Sequence, residues 1–142
     1  MADPQEASVT LSSEPASVTT ARAYVCARLA EWGPAPDTPA MDSVRLIISE
    51  LATNAVLHTC GRSPHFTVDV RLEPSGELRV GVTDSHPRWP QSLPVSVQQD
   101  SGRGMVIIRH LIAESGGRLQ ITPTADGGKT VWIMLPWAVP VP

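Results

Sequence analysis

The stretch RLIISELATNAVLHT, residues 45–59, decides which fold the rest of this chain can adopt. It is typical of the C-terminal part of a helix that begins at Thr38, with Pro39 in its first turn and Gly61 just past its end. At 3.6 residues per turn, its apolar residues form one broad stripe that predicts a buried face. The members of the stripe are Val44, Ile47, Ile48, Leu51, Ala52 and Ala55.

A line of polar residues runs along one edge of this stripe. Glu50, Asn54 and His58 follow one another at intervals of four, so each lies about 40° around the helix from the last. Leu46 and Leu57 lie beyond the line, so apolar residues flank it on both sides. Asparagine is a poor residue for a helix interior, which favours a role in a site over an ordinary solvated edge. We therefore expect a carboxylate and an amide at the rim of a core, with His58 as an orienting or helix-capping side chain.

Length and charge narrow the class of protein. The chain has 142 residues, which predicts one domain over residues 1–142 with flexible ends at 1–7 and 138–142. Its 11 lysines and arginines against 14 aspartates and glutamates give a formal net charge of −3, which argues against a nucleic-acid surface or a polybasic membrane patch. The sequence shows no signal peptide or long apolar run, so a cytoplasmic location is expected. Cys26 and Cys60 have no metal-ligand spacing and are expected as reduced thiols.

The remaining segments alternate between strand and helix patterns, in the order β, α, α, β, β, loop, α, β, β. Apolar and polar side chains alternate along 66–72 and 78–82, with a turn at 74–77, so these strands are expected to pair as a hairpin. Helices on one face of a mostly antiparallel, mixed sheet make an α/β (α+β) two-layer sandwich, which is the predicted fold class. The other expected segments are an edge strand at 8–11, a first helix starting at Ser13 with Pro15 inside it and ending at Trp32–Gly33, a third helix from Met105 to Glu114, and strands at 119–121 and 130–135.

Two further signals flank the loop at 86–101. Asp84 continues the inward parity of the strand before it, so it is either a turn-capping side chain or a ligand contact. Gly102-Arg103-Gly104 opens a helix, where backbone N–H groups beside the positive end of the helix dipole bind anions; a tight turn is the alternative. A loop of this length in a compact domain is typical of a lid or a binding loop.

Together these signals resemble the GHKL (histidine kinase-like) ATPase superfamily. More narrowly, they resemble the small anti-sigma-factor serine/threonine kinases of bacterial partner-switching systems. The resemblance depends on the order and spacing of four segments that span most of the chain. The segments are SELATNAVLH (49–58), VTDSHPRWP (82–90), SGRGMVIIRHL (101–111) and GGKTVWIMLP (127–136).

The resemblance implies a pocket for ATP between the helices and the sheet, under the loop. Asp84 would accept a hydrogen bond from the adenine amino group, with Thr130 supporting it from the neighbouring strand. An acceptor at that place favours adenine over guanine, because guanine carries a carbonyl at its six-position. Lys129, next to Thr130, would either have a positioning role or be a solvated charge.

The resemblance also implies which residues hold the metal and the phosphates and which acts as base. Asn54 would bind Mg2+ through its side-chain oxygen, a hard ligand for a hard cation. Glu50, one turn earlier, would act as general base on an incoming hydroxyl. Backbone amides would hold phosphate oxygens at the start of the third helix, where the Arg103 side chain would either touch a phosphate or be a solvated loop charge. The amides are those of Gly102, Arg103, Gly104 and Met105.

The function that the resemblance implies is that of a protein serine/threonine kinase. The kinase would use Mg-ATP to phosphorylate a STAS-domain anti-anti-sigma factor. It would also bind a sigma factor, as a homodimer, and release it when the antagonist docks. The alternative is a non-catalytic nucleotide-binding module of the partner switch, which regulates through protein binding without phosphotransfer. The sequence does not separate the two, because both need an intact nucleotide site.

Overall fold

A computed structural model describes residues 3–33, 38–58, 64–84, 106–125 and 127–137. The elements in this part of the chain follow the predicted order, with a third helix between the third and fourth strands. No helix within these ranges is long and apolar enough to cross a membrane. The elements are β1 (Gln5–Ser12), α1 (Ala16–Glu31), α2 (Thr38–His58), β2 (His65–Leu72), β3 (Glu77–Asp84), α3 (106–114), β4 (Arg118–Pro123) and β5 (Lys129–Pro136).

The described strands form a five-stranded sheet in the order β1-β2-β3-β5-β4. Each pair of neighbours is antiparallel. β2 and β3 are joined by the expected tight turn, in which Gly76 adopts a positive φ of 93°. β5 returns between β3 and β4, so its first residues lie beside the end of β3. This topology confirms the predicted two-layer fold class, and it places the ends of two strands next to each other.

The apolar stripe of α2 forms the centre of the hydrophobic core. All of the residues predicted for the stripe are buried, and α2 packs against β2 and β3. α1 packs beside α2 and against β1 and β2, so both helices cover the sheet. Burial of each larger aliphatic side chain contributes about 1.5–3 kcal/mol, which holds the two layers together. The sheet supplies Phe66, Val68, Val70, Leu78, Val80 and Val82 to this core.

The first strand is longer than the sequence pattern predicts. β1 pairs with β2 from Gln5 onward, so residues 5–7 lie in the sheet, where a flexible terminus was expected. The hydroxyl of Tyr24 donates a hydrogen bond of 3.1 Å to the carbonyl oxygen of Ser8, which ties the strand to α1. Strand pairing joins residues that are far apart in the chain, so a local pattern at 8–11 did not reveal its full length.

The start of α1 also differs from the prediction. The helix begins at Ala16, and its N-cap residue is Pro15, which makes no side-chain capping hydrogen bond. Ser13, the expected cap, instead donates its backbone N–H to the carbonyl oxygen of Pro64 at 2.9 Å. This bond joins the end of β1 to the segment just before β2.

The face of the sheet away from the helices carries a ladder of ion pairs. Carboxylates and guanidinium groups alternate across four strands, with N–O distances from 2.6 to 3.8 Å. Partly exposed pairs of this kind contribute little stability, about 0–1 kcal/mol each. The charges balance within the ladder, so the ladder itself has no surplus positive charge for a phosphate. It runs Glu6–Arg71–Glu73–Arg79–Glu77–Arg118.

The junction between α3 and β4 has room only for glycine at position 117. A Cβ atom there would collide with the backbone carbonyl oxygen of Met134 and would lie 2.7 Å from Cδ2 of Leu135. Because that carbonyl belongs to β5, it cannot swing aside as the end of a side chain would. We expect Gly117→Ala to lower the free energy of unfolding by about 2–3 kcal/mol, measured by urea denaturation.

Gly116→Ala is the matched control for this prediction. Gly116 has a positive φ of 74°, but a Cβ atom there would meet only Cγ of Pro136, at 3.8 Å. The left-handed backbone by itself costs an alanine about 1 kcal/mol. If Gly117→Ala lowers the free energy of unfolding by no more than Gly116→Ala does, the predicted steric clash at position 117 is wrong.

Candidate functional site

Glu50 and Asn54 lie at the rim of the core, as the helix periodicity predicts. They are one turn apart on α2, and both side chains are half-buried. The apolar stripe on one side of them is buried, whereas Leu46 and Leu57 on the other side are 39% and 56% exposed. His58 belongs to α2, but its side chain lies outside the described part of the structure. The carboxylate and the amide therefore stand between a closed core and an open apolar surface.

Asp84 ends β3 with its side chain on the core side of the sheet. It follows Leu78, Val80 and Val82 at alternate positions, all of them buried, and it is itself only 7% exposed. A carboxylate at this depth has lost most of its hydration, and burial of a charge is costly unless a partner compensates it. The inward parity predicted from the sequence is confirmed, and the burial requires a nearby cation or hydrogen-bond donor.

Lys129 is the cation that compensates Asp84. The two residues stand opposite each other in the pairing of β5 with β3. The Nζ atom of Lys129 lies 3.0 Å from Oδ2 and 3.2 Å from Oδ1 of Asp84, and Lys129 too is only 7% exposed. Of the two roles left open for Lys129, the solvated charge is wrong. The pair is a buried ion pair at the junction of two strand ends, and sequence reasoning did not predict it.

Thr130 does not take the supporting place expected for it. It stands opposite Thr83, and the two hydroxyl oxygens share a hydrogen bond of 2.7 Å. Successive side chains on a strand point to opposite faces, so Thr83 and Thr130 lie on the face away from Asp84 and Lys129. The signal was available in the sequence, because Lys129 shares the parity of Ile133, a buried core residue. The residue of β5 that supports Asp84 is therefore Lys129.

The predicted phosphate-binding turn lies outside the described residues. This applies to Gly102, Arg103, Gly104 and Met105, so the anion site at these amides stays a prediction. The described part of α3 starts at residue 106, and it packs through the buried Ile108 and Ile112. The first two described residues, Val106 and Ile107, are 66% and 44% exposed.

The metal-ligating side chains of the site suit a metal ion that binds together with phosphate groups. Among the described residues there is no group of three or more His, Cys, Asp and Glu side chains that could hold a metal ion. Asn54 offers a single amide oxygen, which fits Mg2+, since this cation keeps several waters and takes few protein ligands besides phosphate oxygens. Within the described ranges the donor set therefore fits Mg2+ bound together with a triphosphate better than a metal centre made of protein ligands alone.

These groups lie on two elements that pack against each other across the boundary between the helix layer and the sheet. α2, which carries Glu50 and Asn54, packs against β3, which ends at Asp84. The boundary thus holds a candidate base, a hard oxygen ligand and a buried donor–acceptor pair.

Comparison of the sequence with models of protein families identifies the family of this domain. Residues 11–135 match the histidine kinase-like ATPase domain. The match covers most of the chain, and the protein therefore belongs to the histidine kinase-like ATPase domain family. Membership implies an ATP-binding domain of the ATPase and kinase type.

Solved structures show the same fold. The RsbU and RsbW domains of Rv1364c from Mycobacterium tuberculosis align with 96% of this chain and 33% of that chain, with a TM-score of 0.69 and 22% sequence identity. Full-length ShkA in complex with AMPPNP aligns with 92% of this chain and 31% of that chain, with a TM-score of 0.55 and 19% identity. At these sequence identities, the similarity to the two structures shows only that the fold is shared.

A curated relative comes from Streptomyces coelicolor. This uncharacterized protein is 40% identical to the chain over 63 residues, which are 43% of this chain and 59% of the relative. The match thus spans less than two thirds of the length of the relative.

Proposed function

We propose that this protein is an ATP-dependent protein serine/threonine kinase of a bacterial partner switch. The observation that carries the proposal is the position of Glu50 one turn before Asn54, with both side chains half-buried at the rim of α2. In a family of ATPase domains, a carboxylate beside a metal-ligating amide suits the removal of a proton from a hydroxyl near a bound triphosphate.

In this proposal, different residues bind the metal, the phosphates and the purine and accept the proton. Asn54 holds Mg2+ through its amide oxygen, and the backbone amides of residues 102–105 hold the phosphates. Asp84 accepts a hydrogen bond from the purine, and Glu50 takes the proton from the incoming serine or threonine hydroxyl. Bound Mg-ATP supplies the phosphoryl group, with the metal offsetting the charge on the phosphate oxygens.

We further propose that the substrate is a STAS-domain anti-anti-sigma factor. A homodimer of the kinase would hold a sigma factor until this antagonist docks. The support is the order and spacing of the four segments at 49–58, 82–90, 101–111 and 127–136, together with the fold shared with the structure that contains the RsbW domain. Such a switch would operate in the cytoplasm, where ATP, Mg2+ and the transcription machinery are found.

Single-turnover labelling tests the kinase proposal. The purified protein is loaded with ATP labelled on its γ-phosphate, in the presence of Mg2+, and mixed with the STAS-domain protein that co-purifies with it. We expect label on a serine or threonine of that partner, and none after a chelator removes Mg2+, because the phosphates then lack their counter-charge. Label that stays on the bound nucleotide would support the non-catalytic module instead. Failure to bind Mg-ATP at all would contradict both functions.

A further inference from the structure

The outer face of the sheet, which is the face away from the helices, is not a purely polar surface. An antiparallel sheet that is covered on one side ordinarily turns polar side chains to water on the other. Here the indole ring of Trp132 lies on the backbone of Gly81, where a Cβ atom would come within 2.7 Å of the ring. Met134, on the same face of β5, is only 5% exposed. Tryptophan and methionine are enriched in protein interfaces, so the composition favours a contact surface.

The strand register aligns the side chains of the outer face in rows that cross the five described strands. In the order of the strands in the sheet, the first row is Thr10, Thr67, Thr83, Thr130 and Thr122. The second row is Ser8, Asp69, Gly81, Trp132 and Gln120. The third row is Glu6, Arg71, Arg79, Met134 and Arg118. The short threonine side chains keep the first row low, so another flat surface can approach the sheet there.

A cavity on the outer face places an unpaired acid beside the tryptophan. It has a volume of about 400 Å³, and its lining includes Glu6, Asp69, Arg71 and Trp132. Asp69 is half-buried, and its carboxylate has no ion-pair or hydrogen-bond partner within the part of the chain that the structure describes. A guanidinium group pairs with a carboxylate and also stacks on an aromatic ring. The cavity therefore suits an arginine side chain of a partner.

A second copy of this chain presents such an arginine at the matching place. Rotation by 180° about an axis parallel to β3 lays two sheets face to face, with β1 of one copy over β4 of the other. In the third row, Glu6 then lies opposite Arg118 of the second copy. The Arg118 side chain is 63% exposed, and its ion pair with Glu77 at 3.4 Å leaves most of its N–H donors unused. In the second row, Asp69 lies opposite Trp132 of the second copy, whose indole N–H is a donor.

The charges favour this axis over the other two-fold arrangement of facing sheets. An axis that runs across the strands, along the second row, would lay each strand on itself. Asp69 would then face Asp69 of the second copy, and Arg118 would face a threonine. Like charges directly opposite each other are destabilising. With the axis parallel to the strands, the residue that faces its own copy in the third row is Arg79, which keeps its ion pair with Glu77 at 2.9 Å.

We infer that two copies of this chain associate through their outer faces, with Arg118 of each copy entering the cavity beside Glu6 and Asp69 of the other. Five strands are about 24 Å wide and the eight residues of β3 are about 26 Å long, which gives about 600 Å² per copy. A total of about 1,200 Å² is at the lower limit of specific interfaces, so the loss of one charged contact is expected to change the dimer affinity measurably. The inference rests on the homodimer of the proposed function and names the surface that forms it.

The test reverses the charges of the Glu6–Arg118 contact one at a time. Arg118→Glu places a carboxylate opposite Glu6 of the second copy, and Glu6→Arg places a guanidinium opposite Arg118. We expect each variant alone to raise the dimer dissociation constant at least about tenfold, measured by sedimentation equilibrium, because like charges then face each other twice in a symmetric dimer. An equimolar mixture of the two variants should form heterodimers with a dissociation constant within about threefold of the wild-type value, because opposite charges then meet at both contacts.

Arg45→Glu is the matched control for the charge reversal. Arg45 is an exposed arginine with one carboxylate neighbour, Asp42, and it lies in the helix layer. The same change of charge there should leave the dimer dissociation constant within about twofold of the wild type, because the outer face is unaltered.

The outcomes separate this inference from the proposed function. A dimer that is weakened in both variants and does not recover in the mixture would overturn the inference, because damage to each fold does not depend on the partner. A dimer that neither variant weakens would also overturn it, and would leave a homodimer formed through another surface. A wild-type chain that stays monomeric at every concentration measured would remove the homodimer together with this inference. Phosphotransfer to the STAS-domain protein would still be decided by the labelling experiment.

Discussion

Replacing either member of the Asp84–Lys129 pair alone is expected to lower the free energy of unfolding by about 3–5 kcal/mol, whereas replacing both should cost far less. The side chains of Lys129 and Asp84 are only 8% and 7% exposed, and each charge compensates the other at 3.0 Å. In Lys129→Met the carboxylate stays buried without its ammonium partner, and in Asp84→Leu the ammonium is left in the same way. The double variant Asp84→Leu/Lys129→Met places two apolar side chains at this junction, and burial of uncharged groups carries no such penalty.

The measurement is a double-mutant cycle from urea denaturation curves. We expect a coupling free energy of several kcal/mol, with the double variant within about 1–2 kcal/mol of the wild type. The control is the pair Arg45–Asp42 on α2, whose N–O distance is also 3.0 Å but whose side chains are 50% and 64% exposed. Breaking that pair should change stability by less than about 1 kcal/mol, because water screens it. Additive losses in Asp84→Leu and Lys129→Met would show that the two charges do not compensate each other.

Glu50→Gln is expected to lower phosphotransfer by about 100- to 10,000-fold, the range typical for loss of a general base. Glutamine keeps the size of the side chain and can still accept a hydrogen bond, but it cannot take a proton from a hydroxyl. Because Glu50 is half-buried at the rim of α2 and outside the apolar stripe, the substitution should leave the fold intact. The affinity for Mg-ATP, measured by calorimetry, should change by less than about threefold, since the proposed nucleotide contacts are made by other residues.

Glu31→Gln provides the matched control for this prediction. Glu31 is the last residue of α1, and its carboxylate pairs with Arg28 on the same helix at 2.7 Å, with 56% of the side chain exposed. The same chemical change there should leave phosphotransfer within about twofold of the wild type. Unchanged phosphotransfer in Glu50→Gln would exclude Glu50 as the base. A rate too low to measure in the wild type, despite tight Mg-ATP binding, would favour the non-catalytic module.

The two predictions concern different parts of the same boundary. The ion pair lies at the end of β3 and the start of β5, beside the proposed purine contact, and Glu50 lies on α2, where the phosphoryl group would arrive. Loss of one member of the pair is expected to lower mainly the stability, because the remaining charge stays buried without compensation. Loss of Glu50 is expected to lower mainly the turnover, because the proposed proton acceptor acts on the reacting atoms and adds little to the packing.

Sequence periodicity was sufficient for the buried face of α2 and for the order of the elements along the chain. The buried stripe of α2 and the rim position of Glu50 and Asn54 follow from 3.6 residues per turn, a property of one segment and its neighbours along the chain. The inward direction of Asp84 follows in the same way from the two-residue period of β3. The length of β1 was underestimated because pairing with β2 holds residues 5–7 in the sheet. β2 is far from β1 along the chain, so a local sequence pattern does not indicate this pairing.

Local periodicity, in short, was enough to identify the helix with its polar line, the two-layer fold and an aspartate at the end of a core strand. The partner of that aspartate was decided by the pairing of β5 with β3. This pairing places Lys129 beside Asp84, 45 residues earlier in the sequence, and places Thr130 on the other face of the sheet. The physical reason is that strand register is set by contacts between distant segments. A shift of one residue would exchange Lys129 and Thr130 between the two faces of the sheet.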